Sequence, residues 1–171
     1  MLDNLKAALL EFRDKVVIDA RRELKAQNKV SSGKLFNSIQ GGPVKTSKNS
    51  IEFSIEMEDY GTFVDKGVSG ISKKYNTPYS YKSLMPPPSK LDKWIVRKGI
   101  APRDEKGKFI DRKSLQFAIA KSIYQNGLKP TLFFTKPFEK YYTKFELGID
   151  RELFKDADDM MRFVIKQNFK K

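Results

Sequence analysis

The 171-residue chain contains no cysteine and no histidine. Without cysteine there is no disulfide, no thiolate nucleophile, no iron–sulfur cluster and no Cys-ligated zinc. Without histidine the usual general base and the commonest transition-metal ligand are missing. Serine and cysteine triads of the usual kind are excluded, as is the HExxH zinc site. A catalyst built from this chain would have to run on carboxylates, lysines, tyrosines or a carboxylate-held magnesium ion. No run approaches the roughly 18 consecutive apolar residues that a membrane span needs. The N-terminal MLDNLKAALLEFRDK is charged throughout and lacks the apolar core of a signal peptide, so a protein that stays where it is made is expected.

What is present is apolar enough to fold. Hydrophobic residues make up 39% and aromatics 12%, too much for a disordered chain, and the length suits one domain or one domain with an appendage. The 34 Lys and Arg outweigh the 21 Asp and Glu, for a net charge of +13. The excess is uneven: Lys66 to Lys113 holds 13 basic against 4 acidic residues, a balance of +9. Such a surface attracts polyanions through counterion release, whatever their sequence. There is no helix-turn-helix pair with a basic recognition helix, no zinc finger and no aromatic RNA-binding strand, so a specific reader of bases is not expected.

Residues 2–27 read as an amphipathic helix, with Leu2, Leu5, Leu9, Phe12, Val16, Ala20 and Leu24 on one face. Ser32 to Ile39 predicts a short capped turn of helix, broken at Gly41-Gly42-Pro43. Ile51 to Glu58 alternates apolar and polar residues without a fault, the mark of a strand with one wet face. Its expected partner is Val44–Ser47, turned back through Ser47-Lys48-Asn49-Ser50. Glu52, Glu56 and Glu58 on the outer face suit a solvated or partner-facing surface better than a metal site, because no fourth oxygen ligand is fixed nearby. Residues 66–88 have no usable period, interleave lysines with Tyr75, Tyr79 and Tyr81, and end in Pro86-Pro87-Pro88. So long a loop suggests a task, either an arm on a neighbouring subunit or a nucleic-acid contact. Ser89–Lys98 predicts a short helix with Trp94 as a core anchor, and 101–112 a charged turn around Gly107. Asp111 or Ser114 opens the next helix, with Leu115, Ala118, Ile119, Ser122 and Ile123 on one side and Asn126-Gly127 as its stop. A proline-bounded segment with Phe133-Phe134 leads into a helix near Pro137. It reads either as a core strand or as an insertion into a neighbour. A last helix, about 149–169, places Ile149, Leu153, Ala157, Met160, Met161 and Val164 together, with acidic residues first and Arg162, Lys166, Lys170 and Lys171 last, as the helix dipole favours.

Several of these segments, in order, resemble the tail-completion, or neck, proteins of tailed bacteriophages. They are the N-terminal helix running into Ser32-Gly33-Lys34-Leu35 and Ser38-Ile39, then Asp59-Tyr60-Gly61-Thr62-Phe63-Val64-Asp65-Lys66-Gly67, then Gly99-Ile100, the helix 112–126, and Gly127-Leu128-Lys129-Pro130-Thr131-Leu132-Phe133-Phe134-Thr135-Lys136-Pro137-Phe138. The resemblance covers about residues 1–145. It implies an α+β fold, an antiparallel sheet packed by a long N-terminal helix and a second helix. The extended loop 68–88 and a C-terminal helical extension, 146–171, are departures from the family pattern. It further implies a structural virion protein rather than an enzyme, with no cofactor, no metal and no catalytic residues. A homo-oligomeric ring of six or twelve copies would sit between the head connector, or portal-side adaptor, and the tail proteins, assembled in the host cytoplasm.

On this reading the candidate subunit interface comprises Tyr60, Phe63, Asp65, Tyr75, Tyr79, Tyr81, Phe133 and Phe134. The candidate face for packaged DNA, contacted without sequence preference, or for an acidic partner ring comprises Lys73, Lys74, Arg97, Lys98, Arg103, Lys106 and Lys108. The alternative is a non-specific nucleic-acid-binding protein. A carboxylate-metal nuclease finds its nearest hint in Glu23-Leu24-Lys25, on a helix instead of beside a strand-borne acid.

Overall fold

The long N-terminal stripe of apolar residues forms helix α1, Asp3–Ala26, in a computed structural model that describes residues 2–47 and 50–168, with side chains as far as Val164. Leu9, Phe12, Val16, Ala20 and Leu24 are buried, as the three- and four-residue spacing requires. The chain is α+β and divides into two compact units that are discontinuous in sequence. The first comprises residues 1–23, 38–57 and 133–171, so the C-terminal segment 146–171 belongs to it together with most of α1. The second comprises 24–37 and 58–132.

In the first unit, Phe12 of α1 is ringed by Phe53, Phe138 and Phe145, with centroids 5.5 to 5.7 Å away. Phe53 belongs to an antiparallel hairpin made of β1 (Gln40–Gly41), β2 (Lys45–Thr46), β3 (Ile51–Glu52) and β4 (Ile55–Glu56). Gln40 and Gly41 pair with Glu56 and Ile55, whereas Lys45 and Thr46 pair with Glu52 and Ile51. The first arm therefore carries one residue more than the second between its ladders, at Gly42-Pro43-Val44. Proline has no N–H for a ladder, and an extra residue bends the strand. This bulge splits the expected strand 51–58 into two short pairings and carries the hairpin back to Gln40. The alternation itself holds: Ile51, Phe53, Ile55 and Met57 are half-buried while Glu52, Ser54 and Glu56 are exposed. Glu58 is half-buried and bonded to Lys34 in the second unit's own fold. Lys48 and Asn49 of the expected turn lie outside the described residues, but Ser47 N–H reaches the Ser50 carbonyl at 2.8 Å across it.

Helices α6 (Thr135–Glu146) and α7 (Ile149–Asn168) complete this unit. Asp19 of α1 is buried and accepts from the Tyr141 hydroxyl at 2.7 Å and Lys140 Nζ at 3.1 Å on α6, with Arg22 at 3.0 Å. Burial pushes its carboxyl upward, but these donors and the Arg22 charge outweigh that and hold it below the usual 3.8. Of the apolar stripe expected on α7, Ile149 is half-buried while Leu153, Met160, Met161 and Val164 are exposed, and Phe154 and Phe163 on its two flanks are exposed as well, Phe154 at 77%. The side chain that docks α7 on α1 is Asp156, which is buried and accepts from the Asn4 and Leu5 N–H groups, each at 3.0 Å. It thus caps the N-terminus of α1 from another helix. Lys170 and Lys171 at the expected basic end lie outside the described residues, as does the side chain of Lys166.

In the second unit, α2 (Lys34–Ser38) begins where the sequence places it and buries Leu35. Helix α3, Gly61–Lys66, forms within the segment 59–67. A 3-10 turn, Pro88–Leu91, runs into α4, Asp92–Arg97. Helix α5, Arg112–Asn126, is capped by Asp111, whose carboxylate accepts from the N–H groups of Lys113 and Ser114. Ile95 and Ala120 are buried here. Two expectations fail in detail. Trp94 is no core anchor but stands 37% exposed, because Ile95 takes the inward position of so short a helix. On α5, Ala118 and Ser122 are exposed, and the inward face runs through Ala120 with Leu115, Ile119 and Ile123 half-buried.

Candidate functional site

The segments 59–67 and 127–132, two of those in the family resemblance, meet in one backbone joint of the second unit. Val68 and Leu128 exchange N–H to carbonyl bonds of 2.9 and 2.7 Å. The Asp65 carbonyl accepts from the N–H groups of Thr131 (3.0 Å) and Leu132 (2.9 Å), and Thr131 Oγ1 donates to the Val64 carbonyl at 2.7 Å. Gln27 Nε2 closes the joint on the Thr131 carbonyl at 3.0 Å. The backbones here approach so closely that a Cβ on Gly70 would lie 2.1 Å from the Gln125 carbonyl oxygen at the end of α5, and one on Gly127 2.1 Å from that of Val68.

The candidate interface residues separate around this joint. Tyr60 and Phe63 remain exposed, with the Phe63 ring edge-on to Tyr79 at 4.6 Å. Asp65 is only 3% exposed, so it serves the joint and is not available to a neighbour. Phe133 is fully buried in the first unit, but in a turn leading into α6 and not in the core strand that was expected. Phe134 is half-buried and stacks on Phe138.

The loop 68–88 is laced to its own unit instead of reaching out as an arm. Ser69 N–H bonds the Tyr79 carbonyl and Tyr81 N–H bonds the Ser69 carbonyl. Ser69 Oγ accepts from Tyr75 N–H at 2.9 Å, and the N–H groups of Ile71, Ser72 and Lys73 reach the end of α5 at Tyr124 and Gln125. Tyr81 lies edge-on to Tyr124, and burial pushes its hydroxyl pKa up. Leu84, 81% exposed, marks the part of the loop that faces outward.

The candidate basic residues also divide. Lys98 is structural: its Nζ reaches the Asn28 carbonyl (3.0 Å), Asn28 Oδ1 (2.9 Å) and the Val30 carbonyl (3.5 Å), pinning the segment that follows α1. Arg103 lies 3.7 Å over the Phe109 ring and donates to the Gly107 carbonyl, holding the small turn of 103–109 together. Lys73 lies over Tyr75, and Lys74 donates to the Gly70 carbonyl at 2.8 Å. Lys106, Lys108 and Arg97 are exposed. The second unit carries 18 basic against 7 acidic residues, a balance of +11, whereas the first carries 16 against 14, or +2. Among the described residues of this unit, only Lys34 (to Glu58, 2.8 Å) and Arg112 (to Asp92, 3.6 Å) are ion-paired. Most of this charge is therefore available to a polyanion.

A crevice of about 210 Å³ opens within the same unit, walled by residues 29–36 and by Leu24, Tyr60, Val64, Trp94 and Arg97. Its lining includes three cations, Lys29, Lys34 and Arg97, and no carboxylate. Ser31 Oγ is buried there without a hydrogen-bond partner. Sequence reasoning missed this grouping, although Trp94 and Arg97 stand one helical turn apart; their partners come from a segment some sixty residues earlier. Among the described residues no cluster of Asp, Glu, Cys or His could hold a metal ion, and no helix is long and apolar enough to cross a membrane. Comparison with known protein families, curated proteins and solved structures returns no match.

Proposed function

We propose that this chain is a structural subunit of the neck of a tailed bacteriophage, one of six or twelve copies in a ring that joins the head connector to the tail. It acts in the virion through shape and charge, without a catalytic step. One observation carries the reading: two of the stretches that resemble the family, 59–67 and 127–138, meet in a hydrogen-bonded joint of Val64 and Asp65 with Thr131 and Leu132. The exposed Leu153, Met160 and Met161 of α7 add support, since apolar side chains grouped on one helix face suit an interaction surface. A ring built from repeated heterologous contacts needs such a surface on every copy. Labelling of tailed particles with antibody against this protein tests the proposal. Label at the head–tail junction is expected; label on the capsid shell or tail tip, or on no particle, refutes it.

The second reading, a non-specific nucleic-acid-binding protein, is favoured by the +11 balance of the second unit and the scarcity of ion pairs within it. A protein that coats duplex DNA in a steeply salt-dependent way, and shows no affinity for connector particles, would be of that kind.

A further inference from the structure

We propose that the crevice between residues 29–36 and α4 is a seat for a nucleoside phosphate, presented as one link of a single nucleic-acid strand. The proposal goes beyond the neck reading and holds whether or not the chain forms rings.

The sign of the ligand follows from the lining. Lys29, Lys34 and Arg97 face the space and no carboxylate does, so an anion is the complementary occupant. Lys34 is already held by Glu58 at 2.8 Å, but Lys29 and Arg97 have no side-chain partner among the described residues. A guanidinium with no partner is the side chain best shaped to grip a phosphate through two parallel N–H bonds. The unpartnered Ser31 hydroxyl adds a neutral donor inside the crevice, where a phosphate oxygen would satisfy it.

The rim narrows the class further. Tyr60 and Trp94 line the same space and both remain partly exposed, Trp94 at 37%. Flat aromatic rings beside cations suit a base stacked next to its own phosphate, and such stacking tolerates any base. A carboxylate from a protein partner would use the cations but leave the rings idle. Size points the same way. About 210 Å³ is smaller than the roughly 300–1,000 Å³ of pockets that enclose a whole small molecule. The crevice therefore holds one group of a longer ligand that continues over the rim.

Trp94 is the only tryptophan in the chain, so its fluorescence reports on this crevice alone. The test titrates the full-length protein with an oligodeoxythymidylate of about twelve nucleotides, within the site sizes of single-strand binders. Thymidine 5′-monophosphate, inorganic phosphate and polyglutamate are titrated in parallel. Saturable quenching of Trp94 by the oligonucleotide is expected. Arg97→Gln should weaken it about tenfold and Ser31→Ala a few-fold, as the loss of a charge-assisted and of a neutral hydrogen bond implies. Lys121→Gln, which removes one charge from the exposed side of α5, should change it less than twofold. Arg97 is exposed and unpaired, so its variant should keep its circular dichroism spectrum. Quenching by the mononucleotide as strong as the strand's at equal concentration would overturn the assignment to a strand. Oligonucleotide binding that leaves Trp94 emission unchanged would overturn the proposal. So would an equal loss of affinity in Arg97→Gln and Lys121→Gln, or polyglutamate binding as tight as the strand's, the last of which would assign the crevice to an acidic protein.

Discussion

Gly127 does two jobs at one position. It ends α5 with φ at +71°, a conformation that costs any residue with a Cβ, and it lets Val68 approach within a distance no side chain would allow. Gly127→Ala should therefore destabilise the second unit by about 2–4 kcal/mol, the range of a strained backbone plus a forced shift. Urea denaturation checks this, and a loss below about 1 kcal/mol would mean that the joint yields easily. Asp156 is the corresponding residue of the first unit. Burial raises the pKa of its carboxyl, but the Asn4 and Leu5 N–H groups and the Asn4 side chain outweigh that and bring it below 3.8. A group with a depressed folded pKa stabilises above its unfolded value and loses that contribution as pH falls through the folded one. Asp156→Asn should thus lower the melting temperature at pH 7, by the equivalent of about 1–2 kcal/mol for a lost charged cap. The difference from the parent should shrink towards zero below about pH 4, where the parent's own carboxyl takes up its proton. A difference that stays constant down to pH 3 would show that the carboxylate's charge plays no part.

At the scale of elements, what the sequence made legible depended on whether the cause was local. The extent of α1, the Asp111 cap and the alternation of 51–57 all follow from spacing and short-range chemistry, and each stands where it was expected. The bulge at Gly42-Pro43 was half legible: the residues announced a break, but the register shift that it causes depends on the pairing of both arms. The N-terminal cap of α1 and the anchor of the segment that follows it were not legible at all. Asp156 reaches the helix from 152 residues away and Lys98 reaches Asn28 from 70 away, and no local pattern encodes either. The same limit hid the crevice, whose walls come from three separate stretches. Helix α7 shows a different limit. Its periodicity is strong, but periodicity states only that one side is apolar and not what will cover it. If that side is the seam between copies, then Phe154→Glu with Met161→Glu should leave helix content unchanged and abolish self-association. Sedimentation velocity would register this, and an oligomer that survives both substitutions would place the seam elsewhere. Because both side chains are exposed, their replacement should cost little stability within one chain.

For the whole molecule, net charge is unevenly divided along the chain, whereas exposed apolar side chains occur in both units. The second unit holds nearly all the net positive charge, and the first holds the uncovered helix. Such a division of charge suits a protein that meets a polyanion through its second unit. Rings assembled from such copies would carry repeated basic faces, and affinity for DNA would then depend on assembly as well as on salt. The most direct test of the neck proposal is the native mass of the purified protein from low to high micromolar concentration, at low and moderate salt. A discrete species of six or twelve copies that persists at moderate salt is predicted, because an apolar seam is not screened. A monomer at every concentration, binding DNA but forming no closed species, would contradict it.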